Sequence, residues 1–123
     1  MPTRHILMVV SDLFFATRIA ETARTLGVEI ESANPAGLVA ACRARRPDLV
    51  VLDLMGSGDP IDAVRALRAD AATESIEVVG FYPHVEDAVR QAALAARVTQ
   101  VLPRSAFTKR LSELLTGERP RVG

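Results

Sequence analysis

Pro47-Asp48-Leu49-Val50-Val51-Leu52-Asp53-Leu54 is the stretch whose reading decides the fold. Its apolar run is short, rich in valine and leucine, and nearly unbroken, as a parallel strand covered on both faces should be. Pro47 ends what precedes it, and Gly56-Ser57-Gly58-Asp59-Pro60 makes a loop after it. Working back from it, Leu38, Ala41 and Cys42 give a helix its buried side, with Asn34-Pro35 as cap and first helical position. Before that lies a short alternating strand, Val28 to Glu31. A helix from Leu13 to Leu26 carries Phe15, Ile19, Ala23 and Leu26 on one face and stops at Gly27. His5 to Val10 is a first apolar strand.

Working forward, Ile61, Val64 and Leu67 mark the inner side of a third helix. Ile76 to Phe81 reads as a fourth strand, Val85 to Ala96 as an alanine-rich helix, and Val98 to Leu102 as a fifth strand. A last helix from about Ser105 to Thr116 places Phe107, Leu111, Leu114 and Leu115 at helical spacing. Strands and helices in strict alternation, joined by right-handed crossovers, predict an α/β, doubly wound, five-stranded parallel sheet. One domain, residues 1–123 with a core of about 5–116 and a frayed tail from Gly117, accounts for the chain.

Composition narrows the function classes. Apolar residues make up 49% of the chain, enough for a sizeable core, and aromatics only 4%, so valine, leucine, isoleucine and alanine must fill it. Fifteen basic residues balance fifteen acidic ones, which argues against nucleic acid or an anionic membrane as partner. The lone Cys42 cannot form an internal disulfide and reads as a small buried apolar residue. No apolar run approaches the length of a membrane span or a signal-peptide core, so a cytoplasmic location is expected.

In an open parallel sheet, function collects beyond the carboxyl ends of the strands. Two acids fall there, Asp12 after the first strand and Asp53 at the end of the third. A carboxylate inside Val50-Val51-Leu52-Asp53-Leu54 is costly unless it reaches the rim or finds partners. Asp53 is therefore the chief candidate functional residue, with capping of the next loop as the plain alternative. His84, just beyond the fourth strand, reads as a solvated loop histidine, since no second ligand stands at metal-binding spacing. His5 falls at the opposite end of the sheet. Glu86 and Asp87 suit a first helical turn, and Arg43, Arg45 and Arg46 a helix carboxyl end. Gly56-Ser57-Gly58 is too short for a phosphate-binding loop and precedes an acid.

Pro47 to Leu54 resembles the third-strand motif of response-regulator receiver domains, whose final aspartate is phosphorylated. Ile6-Leu7-Met8-Val9-Val10-Ser11-Asp12 resembles that family's first strand, which ends in two acids. Val101-Leu102-Pro103-Arg104-Ser105-Ala106-Phe107 resembles the fifth-strand ending that carries its lysine and a following proline. The resemblance runs from about His5 to Thr116 and implies a flavodoxin-like (βα)5 fold with strand order 2-1-3-4-5. It also implies the family's chemistry: an aspartate accepts a phosphoryl group, Mg²⁺ held by carboxylates and one carbonyl neutralises charge, and lysine, hydroxyl and aromatic residues relay the change.

Matched position by position, Asp53 stands at the phosphoacceptor, Asp12 at the second acid and Met55 at the residue whose carbonyl joins the metal. Ser11 replaces the first acid and Arg104 the lysine. Ser105 replaces the following proline, so the family's cis peptide is not expected here. Tyr82, or Phe81 if the count is one residue off, replaces the hydroxyl residue, and Val101 the aromatic switch. The loop after Asp53 is one residue short and lacks the usual Met-Pro. Losing one carboxylate should weaken Mg²⁺ binding by on the order of 1–2 kcal/mol, a unit-charge interaction at short range.

Nucleophile and one acid are thus kept while the relay is lost. The sequence accordingly predicts an atypical, non-enzymatic, stand-alone receiver acting in signal transduction through a protein partner, a histidine kinase or a downstream effector. Mg²⁺ would bind weakly if at all. Dimerisation through the surface of the fourth helix, fifth strand and last helix is the expected self-contact. A working response regulator phosphorylated on Asp53 with Mg²⁺ is the first alternative. A small-ligand or enzymatic domain using Asp53, His84 and Arg104 is the second.

Overall fold

A computed structural model describes residues 3–83 and 87–117; His84 and Glu86 lie outside the described residues, as does the tail beyond Gly117. Five strands, β1 (His5–Val9), β2 (Glu29–Ser32), β3 (Leu49–Asp53), β4 (Val78–Tyr82) and β5 (Gln100–Pro103), form one sheet in the order β2-β1-β3-β4-β5. Every neighbouring pair is parallel. Fold class and strand order are those expected from the sequence.

The helices are α1 (Leu13–Thr25), α2 (Leu38–Arg45), α3 (Pro60–Arg68), α4 (Asp87–Ala95), α5 (Arg104–Lys109) and α6 (Leu111–Thr116). They cover both faces of the sheet, and the central strands alternate between two cores accordingly. Leu49, Val51, Val79 and Phe81 pack with Phe15, Ile19 and Ala23 of α1 and with Phe107, Leu111, Leu114 and Leu115. Val50, Leu52, Val78 and Tyr82 pack on the opposite face with Leu38 and Cys42 of α2, Val64 and Leu67 of α3, and Ala93 of α4. Burial pushes the Cys42 thiol up to about 11, which leaves it an inert apolar filler.

Local chemistry explains where the elements depart from their sequence-read limits. The second helix starts late: Pro35–Gly37 is a 3₁₀ turn whose Asn34 side chain accepts from the Gly37 N–H at 2.8 Å, and the α-helix begins at Leu38. β4 and β5 each begin two residues later than expected. Arg68 is responsible for part of this, because its Nη1 donates to the Ile76 carbonyl at 2.6 Å. The Val78 N–H instead finds Thr99 Oγ1 at 2.9 Å, and the Val98 N–H closes α4 on the Ala93 carbonyl. The last helix is interrupted at Arg110 (φ −99°, ψ 8°) into α5 and α6. Its apolar stripe survives the break, since Phe107, Leu111, Leu114 and Leu115 are all buried.

Gly80, in the middle of β4, has a steric reason. A Cβ there would stand 2.7 Å from Leu54 Cδ2 and 2.8 Å from its Cγ. The buried Leu54 side chain therefore lies across the bare glycine. That contact anchors the residue directly after Asp53.

Candidate functional site

The carboxyl ends of β1 and β3 and the residues after β5 bring Ser11, Asp12, Asp53 and Arg104 to one rim of the sheet. Asp12 is the N-cap of α1: its Oδ1 accepts from the Phe15 N–H at 3.1 Å. Its second oxygen, Oδ2, faces Arg104 Nη2 at 3.3 Å. The backbone N–H of Phe15 holds the Asp12 carboxyl below its ordinary range; modest burial opposes this and Arg104 reinforces it.

Arg104 lies in the first turn of α5 and reaches back over α1. Its guanidinium carbon sits 3.9 Å from the centroid of the Phe15 ring, a cation–π contact. Phe15 in turn meets Phe81 and Phe107 edge-on at 5.2 and 5.9 Å, and these two stack at 4.7 Å. The rim thus rests on a floor of three phenylalanine rings.

Asp53 is half-buried. Its Oδ1 accepts from the Met55 N–H at 3.0 Å, two residues on. Burial raises its pKa above the ordinary value; Met55 and the Arg104 charge oppose this, and Asp12 adds to it. Gly56 lets the following turn close. A Cβ there would come within 3.1 Å of Ser11 Oγ and 3.2 Å of the Asp53 carbonyl oxygen. Ser11 Oγ accepts from the Ser57 N–H and meets Ser57 Oγ, both at 3.3 Å. Ser11 thus ties the loop after β3 to the end of β1.

The two aromatic residues at the end of β4 go separate ways. Phe81 is the Cα partner of Asp53 and drops into the ring cluster. Tyr82 is buried on the opposite face with Ala93. Val101 pairs with Gly80 and packs, half-buried, on that same face. Met55 is partly exposed. Beyond the loop after β3, a cleft of about 480 Å³ is lined by Leu54, Gly56–Asp62, Arg65 and Ala92, without Asp53 or Arg104. Sequence reasoning missed the Arg104–Phe15 stack and the Ser11–Ser57 tie. Phe15 at three residues past a capping acid was the only visible hint.

No protein-family model matches the chain, and no curated protein does. Solved structures do match. The chemotaxis response regulator CheY4 of Vibrio cholerae is 18% identical with a TM-score of 0.80, over 96% of this chain and 100% of that one. The phosphorylated cyanobacterial phytochrome response regulator RcpA is 19% identical with a TM-score of 0.77, over 94% and 91%. The receiver domain of a Pseudomonas aeruginosa sensor histidine kinase, which has a magnesium ion coordinated in its active-site cleft, is 19% identical with a TM-score of 0.77, over 94% and 99%. The chain therefore has the receiver-domain fold.

A magnesium ion asks for near-octahedral oxygen ligands. Here Asp12 gives one oxygen to the α1 cap and the other to Arg104, Asp53 gives one to Met55, and Ser11 Oγ is held by Ser57. No cluster of three or more acidic, histidine or cysteine ligands exists among the described residues. As arranged, the two carboxylates and the Met55 carbonyl make a sparse donor set for a divalent cation, with both Asp12 oxygens and Asp53 Oδ1 already accepting hydrogen bonds.

Proposed function

We propose that the chain is an atypical receiver: a non-enzymatic signalling module that works by contact with a protein partner, in a state not governed by phosphate on Asp53. The observation that carries this reading is the pairing of Asp53 with Phe81. The β4 residue beside the acid is a fully buried phenyl ring stacked on Phe107. It has no hydroxyl to follow a phosphoryl group, and Tyr82, the residue matched first to the family's hydroxyl position, is buried on the opposite face with Ala93. A phosphate with no differential contacts in two states shifts no equilibrium.

Two surfaces are open to a partner. α1 begins with Leu13 and Phe14, 78% and 91% exposed beside the Asp12 cap. α4 turns Ala88, Leu94 and Ala95 outward while Ala93 and Ala96 pack on the sheet, so self-association there would use the outward set.

Amide NMR spectra recorded before and after adding Mg²⁺ and beryllofluoride test the reading, with Asp53→Ala as control. Shifts are expected to be absent or confined to the rim. Shifts that spread from Asp53 into α4 and β5 and vanish in the control would overturn it.

A further inference from the structure

We propose that Arg104 is the site's resident cation: its guanidinium, paired with Asp12 and laid on Phe15, takes the place of a divalent metal ion and keeps one out. The inference goes beyond the signalling reading and stands on three observations independent of it.

First, Arg104 is placed against its own helix. The amino end of a helix disfavours cations, yet Arg104 opens α5, whose first turn holds no acid. The Asp12 carboxylate at 3.3 Å and the Phe15 ring at 3.9 Å offset that misplacement. Second, the arginine cannot leave as a neutral group, because a guanidinium stays protonated at any physiological pH. A metal ion approaching Asp12 therefore meets a fixed positive charge already sharing that carboxylate. Third, the neighbouring position that could add negative charge is the neutral Ser11, whose hydroxyl is engaged with Ser57. The net charge over Asp12, Asp53 and Arg104 is one negative unit, so the guanidinium halves the charge the two carboxylates alone would offer a dication.

Binding of Mn²⁺ to the full chain tests this, read from paramagnetic broadening of amide signals during titration. The wild-type protein is expected to show no broadening centred on Asp12, Asp53 and Met55. Arg104→Gln keeps a side-chain stem over Phe15 but removes the charge; Arg104→Ala removes both. Each is expected to tighten Mn²⁺ binding by about tenfold or more, the scale of one unit charge at contact distance near a surface. Adding Asp12→Asn should abolish the gain. Unchanged amide signals across β1, β3 and β4 verify the fold of each variant. Wild-type broadening at the rim as strong as that of Arg104→Gln would overturn the proposal. So would a folded Arg104→Gln protein with no gain.

Discussion

Asp53 and Phe81 face each other as direct partners across β3 and β4, so the half-buried acid at the rim has a phenyl ring for its lateral neighbour. Burial accordingly penalises its charged form more than Met55 and Arg104 relieve it.

Asp53→Asn is expected to stabilise the protein at neutral pH, raising Tm by roughly 2–4 °C, since Asn Oδ1 can keep the Met55 bond without the charge. The sign follows from the raised pKa. The cost of Asp53 is absent at low pH, where native and unfolded chains are both protonated. It appears as pH climbs from the ordinary value of 3.8 through the raised native one. Asp12 runs the other way. Its pKa is lowered, so its contribution is present above 3.8 and disappears as pH falls through the native value. Thermal melts of wild type and Asp53→Asn at pH 7 and pH 3 check the Asp53 effect, whose difference should shrink or vanish at the lower pH; Asp12→Asn should lower Tm at pH 7 and less so at pH 3.

Arg68 is buried and spends all five of its N–H donors on the chain around it: the carbonyls of Arg97, Glu74 and Ile76, and Thr99 Oγ1. Arg68→Met should cost about 2–4 kcal/mol in urea denaturation, because several carbonyls lose their partners at once. Arg68→Lys, with three donors on a point charge, should recover only part of it. A loss under 1 kcal/mol for the methionine variant would show that water replaces the guanidinium freely.

Gly80→Ala should destabilise by about 1–3 kcal/mol, as expected for overpacking, since the new methyl would collide with Leu54. Shortening Leu54 should relieve the clash, so that Leu54→Ala and Gly80→Ala together cost less than the sum of each alone. Additive losses would place the strain elsewhere.

The layer structure was legible because the apolar runs are short and regularly spaced, and because a strand such as Leu49–Asp53 is apolar on both faces. Strand limits at Ile76 and Val98 were not, because the Arg68 guanidinium takes the Ile76 carbonyl, Thr99 Oγ1 takes the Val78 N–H, and the Val98 N–H closes α4 on the Ala93 carbonyl. At the site, Asp12 and Asp53 could be placed from their positions at strand ends. What Arg104 does could not. Its partners are Asp12, ninety-two residues away, and a ring on another helix, and no local spacing encodes that meeting.

All three buried phenylalanines lie on the α1, α5 and α6 side of the sheet, while Ala93 and Ala96 line the α4 side. The ring layer can lose bulk and leave a void, whereas Ala93 and Ala96 have little bulk to give, and a larger side chain there would push α4 off the sheet. Substitution would thus injure the ring cluster by subtraction and the Ala93–Ala96 contact by addition.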